Sequence, residues 1–355
     1  MTRPGPYESR SLFHSSLLHI IARLMSLPVL RARLLLSLFL SLMAAAMPVN
    51  AKPRAQVPDQ NLRTIRAIFE LPDQRIDLAW AKLTIDHMID PAIDIANGLK
   101  QLDGMERAIQ SQLPAMATSR DKLDTLRNYL YQAGPWNANR PFSYDLDDPL
   151  GHNIRHKLLP TYLGTRKGNC VSMPVLFIIL GQKLGLDLAA ATAPEHIFVK
   201  YRDDLGNYYN IETTSGGGFA RDAWMQQQMP MSQEALANGI YMQPLSKKET
   251  VAIMAGTLLE YYGQRGWEER RIALAELILK HYPKDVSSML HISSAYYRLR
   301  QQNFVNKYPT PADIPLQERA YFVELDKNIG FWRGKAEALG WRDETLRTGQ
   351  QSRSQ

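Results

Sequence analysis

The sequence predicts an α+β protein. A buried helix bearing the single cysteine stands beside a small antiparallel sheet, between a helical lead-in and a helical tail. Three observations carry this. Residues 171–184 are apolar nearly all round, the length and pattern of a buried helix. Two β-branched and aromatic runs, 196–201 and 208–214, are separated by the turn material Asp203-Asp-Leu-Gly-Asn207, which reads as a strand pair. Amphipathic helical spacing fills the stretches before and after them.

The chain has 355 residues, 45% hydrophobic and 22% charged, an ordinary globular composition with room for two modest domains. The formal charge is +7. Arg3, Arg10, Arg23, Arg31 and Arg33 against Glu8 place +4 of it in residues 1–51, which leaves +3 for the rest. That weak, dispersed charge, without basic runs interleaved with aromatics, argues against a nucleic-acid partner. One cysteine excludes an intrachain disulfide framework.

Arg31-Ala-Arg33 precedes an apolar stretch, 34–46, and then Met47-Pro-Val49-Asn-Ala51. A basic region, a short apolar region and small residues before a cut after Ala51 read as a secretory signal peptide over 1–51. Its thirteen apolar-rich residues fall short of the roughly 20 needed to span a bilayer. Export to a periplasm or beyond follows. An uncleaved anchor, the one membrane contact foreseen, and a start at Met25 are the alternatives.

Residues 52–58 read as a leader. A helix over 59–71 is stopped by Pro72, and a second over 76–88 has Asp73 as its cap. Pro91 sits where a third would begin, with Ile93, Ile95, Leu99, Leu102 and Met105 as its apolar positions. Ser119 begins a fourth, with Leu123, Leu126 and Leu130 on one side. Residues 134–150 are a Pro-, Asn- and Asp-rich loop. His152 and His156 would share a face on a helix, a metal-ligand spacing, but no third ligand accompanies them and the sequence implies no metal.

Pro174 is tolerated only in a first turn, so the apolar helix must start close to Cys170. A thiol at a helix N-terminus meets backbone N–H groups and a dipole that favour an anion. The N–H of Cys170 could also help bind an oxyanion. Gly181 suggests close approach of another element, and Gly185 a helix end. With a loop over 203–207, Arg202 pairs with Tyr208 and Phe198 with Glu212. His196 and Glu212 then share one face as diagonal neighbours. Glu212 would hold the imidazole while its other nitrogen faces Cys170, the logic of nucleophile, base and orienting group. Asn210, on the same face, is the rival orienting group. Ser172 is a weak rival nucleophile, and inert packing of Cys170 the bland reading.

This order of Cys at a helix start, His at a strand start and acid on the next strand resembles the transglutaminase-like superfamily, with its papain/transglutaminase-like core. From about Asp77 to Gly217 the chain is most similar to the bacterial SirB-type branch. The motifs are Tyr144-Asp-Leu146, Arg166-Lys-Gly168, Pro194-Glu-His196 and Asn210-Ile-Glu212. The third residue is usually Asp in the superfamily, where this chain has Glu212. Some SirB-type members lack the nucleophilic Cys; this chain retains it. The resemblance implies a Cys170-His196-Glu212 triad acting on a peptide or protein amide, as a hydrolase or acyltransferase without cofactor. The other reading is a non-enzymatic periplasmic scaffold.

Residues 221–244, with Met225, Met229, Met231 and Met242, read as a connection over the core. Helices return at Lys247. Leu258 matches Ile292 and Tyr262 matches Tyr296 at a period near 34, and a helix over 270–281 ends at Tyr282-Pro283. That is a tetratricopeptide-like unit. The second unit breaks over 307–315 and resumes over 316–329. One and a half repeats cannot stand alone, so the tail should pack on the core, with Trp332 and Trp341 sealing its end. It would serve as a stabilising cap or a protein-binding surface. The expected organisation is 1–51 signal peptide, 52–245 catalytic-type domain, 246–345 tail and 346–355 disordered end.

Overall fold

Asp59 opens the lead-in by accepting the N–H of Asn61 at 2.9 Å, an N-cap. The structure, a computed structural model, describes residues 59–343. The expected signal peptide, the leader over 52–58 and the C-terminal stretch 346–355 lie outside the described residues. Helix α1 (Gln60–Glu70) buries Ile65, Ile68 and Phe69. It stops before Pro72, as expected.

The next two caps differ from expectation. Asp77, not Asp73, caps α2 (Leu78–Ile89), through the N–H groups of Ala79 and Trp80. A cap must reach the second or third N–H of its helix, and Asp73 lies too far ahead. It sits in a 3-10 turn, and its carboxylate accepts the N–H groups of Lys247 and Lys248 at the start of the tail. Likewise α3 (Ile95–Gln110) starts at its cap Asp94, and Pro91 lies in the turn before it. Helix α4 (Ser119–Tyr131) carries a Thr118–Asp121 capping box and buries Leu123, Leu126 and Leu130.

Two short parallel strands follow, β1 (Ser143–Tyr144) and β2 (Lys167–Gly168), separated by α5 (Leu159–Thr165). Helix α6 (Ser172–Lys183) is buried on nearly every side. It ends at Leu184, and Gly185 adopts a left-handed φ of 77°. A Cβ on Gly181 would sit 2.1 Å from Leu188 Cδ1 and 3.3 Å from Leu126 Cδ2. Gly181→Val is therefore expected to lower stability by about 1–3 kcal/mol, as overpacking does, read from the denaturant midpoint.

The sheet is an antiparallel meander of β3 (Asp187–Ala193), β4 (His196–Arg202), β5 (Tyr208–Glu212) and β6 (Gly218–Ala220). Between β4 and β5 the register sets Arg202 opposite Tyr208 and Val199 opposite Ile211. Strand β5 ends at Glu212, short of the expected Thr214, because Thr213–Ser215 turn into a 3-10 helix. Four strands, β1, β2, β3 and β6, escaped the sequence reading. β3 is Asp-Leu-Ala-Ala-Ala-Thr-Ala, poor in β-formers. It becomes a strand because α6 packs on it and its whole length pairs with β4.

The connection over 221–245 holds α7 (Asp222–Gln228) and α8 (Gln233–Ala237). Met225 and Met242 pack there against Phe198, Ala191 and Ala193. The tail is α9 (Lys247–Gln264), α10 (Glu268–His281), α11 (Val286–Arg300) and α12 (Leu316–Ala338). α10 starts two residues before the expected Arg270. α12 runs nine residues beyond the expected Ile329, since Ala336 and Trp332 still find apolar partners. Leu258, Tyr262 and Ile292 join the same hydrophobic core as Ile65, Leu83 and Phe177, so lead-in, α6 and tail are packed together. No helix among the described residues is long and apolar enough to cross a membrane.

Candidate active site

The thiol is presented by a turn, not by the helix itself. Asn169 is buried, and its Oδ1 accepts the N–H groups of Val171 at 3.0 Å and Ser172 at 3.2 Å. Its own N–H donates to Ser172 Oγ at 3.1 Å, and its carbonyl accepts the N–H of Met173. Asn169 thus caps α6 from outside, and Cys170 lies two residues ahead of the first helical residue. Two helix N–H groups expected to favour a thiolate are taken by the Asn169 side chain. Gly168 is required at the preceding position, where a Cβ would come within 2.5 Å of the Tyr162 ring and 2.8 Å of Met173. Cys170 is half-buried. Ser172 is fully buried and holds the cap.

His196 is placed by the β3–β4 turn, where Ala193 pairs with His196 across Pro194-Glu195. Glu195 has a φ of 54°, a left-handed conformation that costs a non-glycine residue roughly 1–2 kcal/mol. The turn also brings the Glu195 carbonyl to 3.9 Å from Cys170 Sγ. The imidazole Nε2 lies 2.7 Å from Glu212 Oε2, and the ring also interacts with the Cys170 thiol. The second oxygen of Glu212 accepts from the Thr214 N–H at 2.9 Å and the Thr214 hydroxyl at 2.6 Å. Asn210 faces elsewhere. Its Nδ2 donates to the Ala220 carbonyl at 3.0 Å and to Asp222 Oδ1 at 2.6 Å. The group at the His196 ring is therefore Glu212.

The electrostatics follow from this contact. Burial opposes a charged His196, but hydrogen bonds and charge interactions with Cys170 and Glu212 outweigh it and raise the imidazole to about 9. Burial likewise pushes Glu212 up, while its bonds and charge contact with His196, and those with Thr214, bring it below the ordinary carboxylate value. The side chains of His196 and Glu212 are 15% and 7% exposed, so water screens the pair weakly. Glu212→Gln keeps the shape and removes the charge. It is expected to bring the imidazole back toward its free value of about 6.5, read from the pH titration of the His196 ring protons by NMR.

His152 and His156 do not share a helix face. His152 lies in a loop, and His156 is in a 3-10 turn, Ile154–Lys157. The His156 ring faces Asp148 Oδ2 at 2.9 Å and Asp145 Oδ2 at 3.3 Å. Among the described residues no group of three or more His, Cys, Asp or Glu side chains could hold a metal ion.

Sequence reasoning missed Asn169 and Thr214. The Asn-x-x-Ser spacing ahead of the apolar run is a legible cap signal. Thr214 becomes visible only once Glu212 is known to end its strand.

Residues 96–256 match the family model of the transglutaminase-like superfamily, whose members are often enzymes. The match runs from α3 into α9 and includes Cys170, His196 and Glu212. The matched segment is of mixed helix and sheet, with α1, α2 and α10–α12 outside it. No curated protein matches the chain.

Proposed function

We propose that this protein is an exported, thiol-dependent amide or peptide hydrolase or acyltransferase using Cys170, His196 and Glu212. The observation that carries the reading is the His196 ring, set between the Glu212 carboxylate at 2.7 Å and the Cys170 thiol. In the reaction, the Cys170 thiolate attacks the amide carbonyl and a C–S bond forms. The carbonyl electron pair moves to oxygen, to which the Cys170 N–H would donate. The tetrahedral adduct collapses, the C–N bond breaks, and His196, protonated at neutral pH by its raised value, gives its proton to the leaving amine. The product is an acyl-thioester. Neutral His196 then takes a proton from the incoming water or amine, which attacks the thioester and releases the thiolate. Glu212 stays ionised and holds the ring throughout.

The SirB-type resemblance fits this reading, as does the retained cysteine. In it the signal peptide delivers the chain to the periplasm, and the substrate is a peptide or protein. The tetratricopeptide-like tail, built into the same hydrophobic core, serves as a cap whose outer surface is available to a protein partner. The test is the alkylation rate of Cys170 in the intact protein at neutral pH. A rate far above that of a free cysteine supports the reading. A thiol no faster than free cysteine would return the chain to a non-enzymatic scaffold.

A further inference from the structure

Helix α2 carries two charges where water does not reach. Lys82 and Asp86 lie one turn apart, both 0% exposed, and form an ion pair. Each also holds a backbone group of another segment. Lys82 Nζ donates to the Lys157 carbonyl at 3.1 Å, and Asp86 Oδ2 accepts the N–H of Leu159 at 2.7 Å. The same stretch meets the thiol turn, since Asn169 Nδ2 donates to the His156 carbonyl at 3.3 Å. Little slack remains around that amide. A Cβ on Gly151, whose φ is 62°, would come within 2.8 Å of Asn169 Nδ2 and 2.6 Å of the Lys157 side chain.

We propose that Lys82 and Asp86 are positioning residues for Cys170, acting through the backbone of residues 156–159 and the side chain of Asn169. The physical case rests on what a buried ion pair does well. Its desolvation cost can exceed its attraction, and apolar residues of similar volume often stabilise as much or more. An apolar pair cannot hold a carbonyl and an N–H of a loop at fixed points. The pair does so, and the loop's next carbonyl fixes the amide whose other atom caps α6. Cys170 is the residue between that amide and the first capped N–H. Placement of a nucleophile to within about 1 Å is worth up to roughly 100-fold in rate. The bearing on catalysis rests on the proposed thiol chemistry; the positional coupling does not.

The test is the full chain carrying Lys82→Met and Asp86→Leu together. Three quantities are read: the thermal midpoint, amide hydrogen exchange at Val171 and Ser172, and the Cys170 alkylation rate by iodoacetamide at pH 7. The expected result is a folded protein with a midpoint at or below that of the parent, since the Lys157 carbonyl and the Leu159 N–H lose their partners. Exchange at Val171 and Ser172 should be at least roughly tenfold faster, and alkylation roughly 10- to 100-fold slower. A folded double variant with parental exchange at Val171 and Ser172 overturns the proposal. A parental thiol no more reactive than free cysteine sinks the proposed activity instead, and the exchange readout still decides the coupling. Should the double variant not fold, Asn169→Asp keeps the oxygen that caps α6 and replaces the donor to the His156 carbonyl by a charged oxygen that repels it. It is expected to slow alkylation, and unchanged reactivity in the folded variant overturns the proposal.

Discussion

Replacing His196 with alanine is expected to slow alkylation of Cys170 at pH 7 by roughly 100- to 1000-fold, within the range that a positioned acid–base group contributes. At that pH His196, raised to about 9, is an imidazolium. A thiolate is the species that reacts, and a neighbouring imidazolium favours that form in general. Two cap N–H groups of α6 are engaged by Asn169. The parent should already be fast at pH 7. Two coincident rate–pH curves would show that His196 does not act on the sulfur. Loss of the parental rate only through unfolding is excluded by comparing far-ultraviolet circular dichroism of the two proteins.

Turnover should fall above an alkaline limb near pH 9. The imidazolium is the acid for the leaving amine, and it loses its proton through that value. The same shift makes stability depend on pH with a definite sign. The folded value, about 9, lies above the unfolded value of about 6.5, so the stabilisation is fully present below 6.5 and disappears as pH rises through 9. Glu212 works the other way. Its value is lowered from 4.5, so its contribution is present above 4.5 and is lost as pH falls below it. The ion pair is therefore strongest between about pH 4.5 and 6.5. The stability gap between the parent and His196→Ala should narrow by up to about 3 kcal/mol between pH 6.5 and 9.5. Denaturant melts of both proteins across that range measure it. A constant gap would mean that His196 carries no extra proton in the folded state. In Glu212→Gln the alkaline limb should move toward neutrality, which separates the contribution of the carboxylate from that of the thiol.

Much of this protein is legible in its residues because the relevant signals are local. The apolar run after Cys170 can only be a buried helix. The turn over 203–207 sets the strand register by its length. That register then decides whether His196 and Glu212 share a face, since a slip of one residue reverses every side chain. Stops at Pro72 and Gly185 come from backbone chemistry that needs no partner. The errors cluster where a residue's partner is distant in sequence. Asp73 reads as a local cap, but its carboxylate serves Lys247 and Lys248. Residues 187–193 read as nothing in particular and become a strand because β4 and α6 surround them.

The candidate site divides along the same line. Its three residue types, their order and their common face follow from periodicity of two along a strand and from the constraint that Pro174 puts on the helix start. Tertiary structure decided the rest. It turned Asn210 to Ala220 and Asp222 and left Glu212 at the ring. It set Cys170 ahead of α6 and gave the cap to Asn169. It linked the thiol turn to a buried ion pair more than eighty residues earlier. Spacing along a chain fixes which face a side chain takes, through backbone geometry alone. Which acceptor that side chain meets depends on segments brought together only when the core closes, because hydrogen bonds and ion pairs act over a few ångströms in space without regard to separation in sequence.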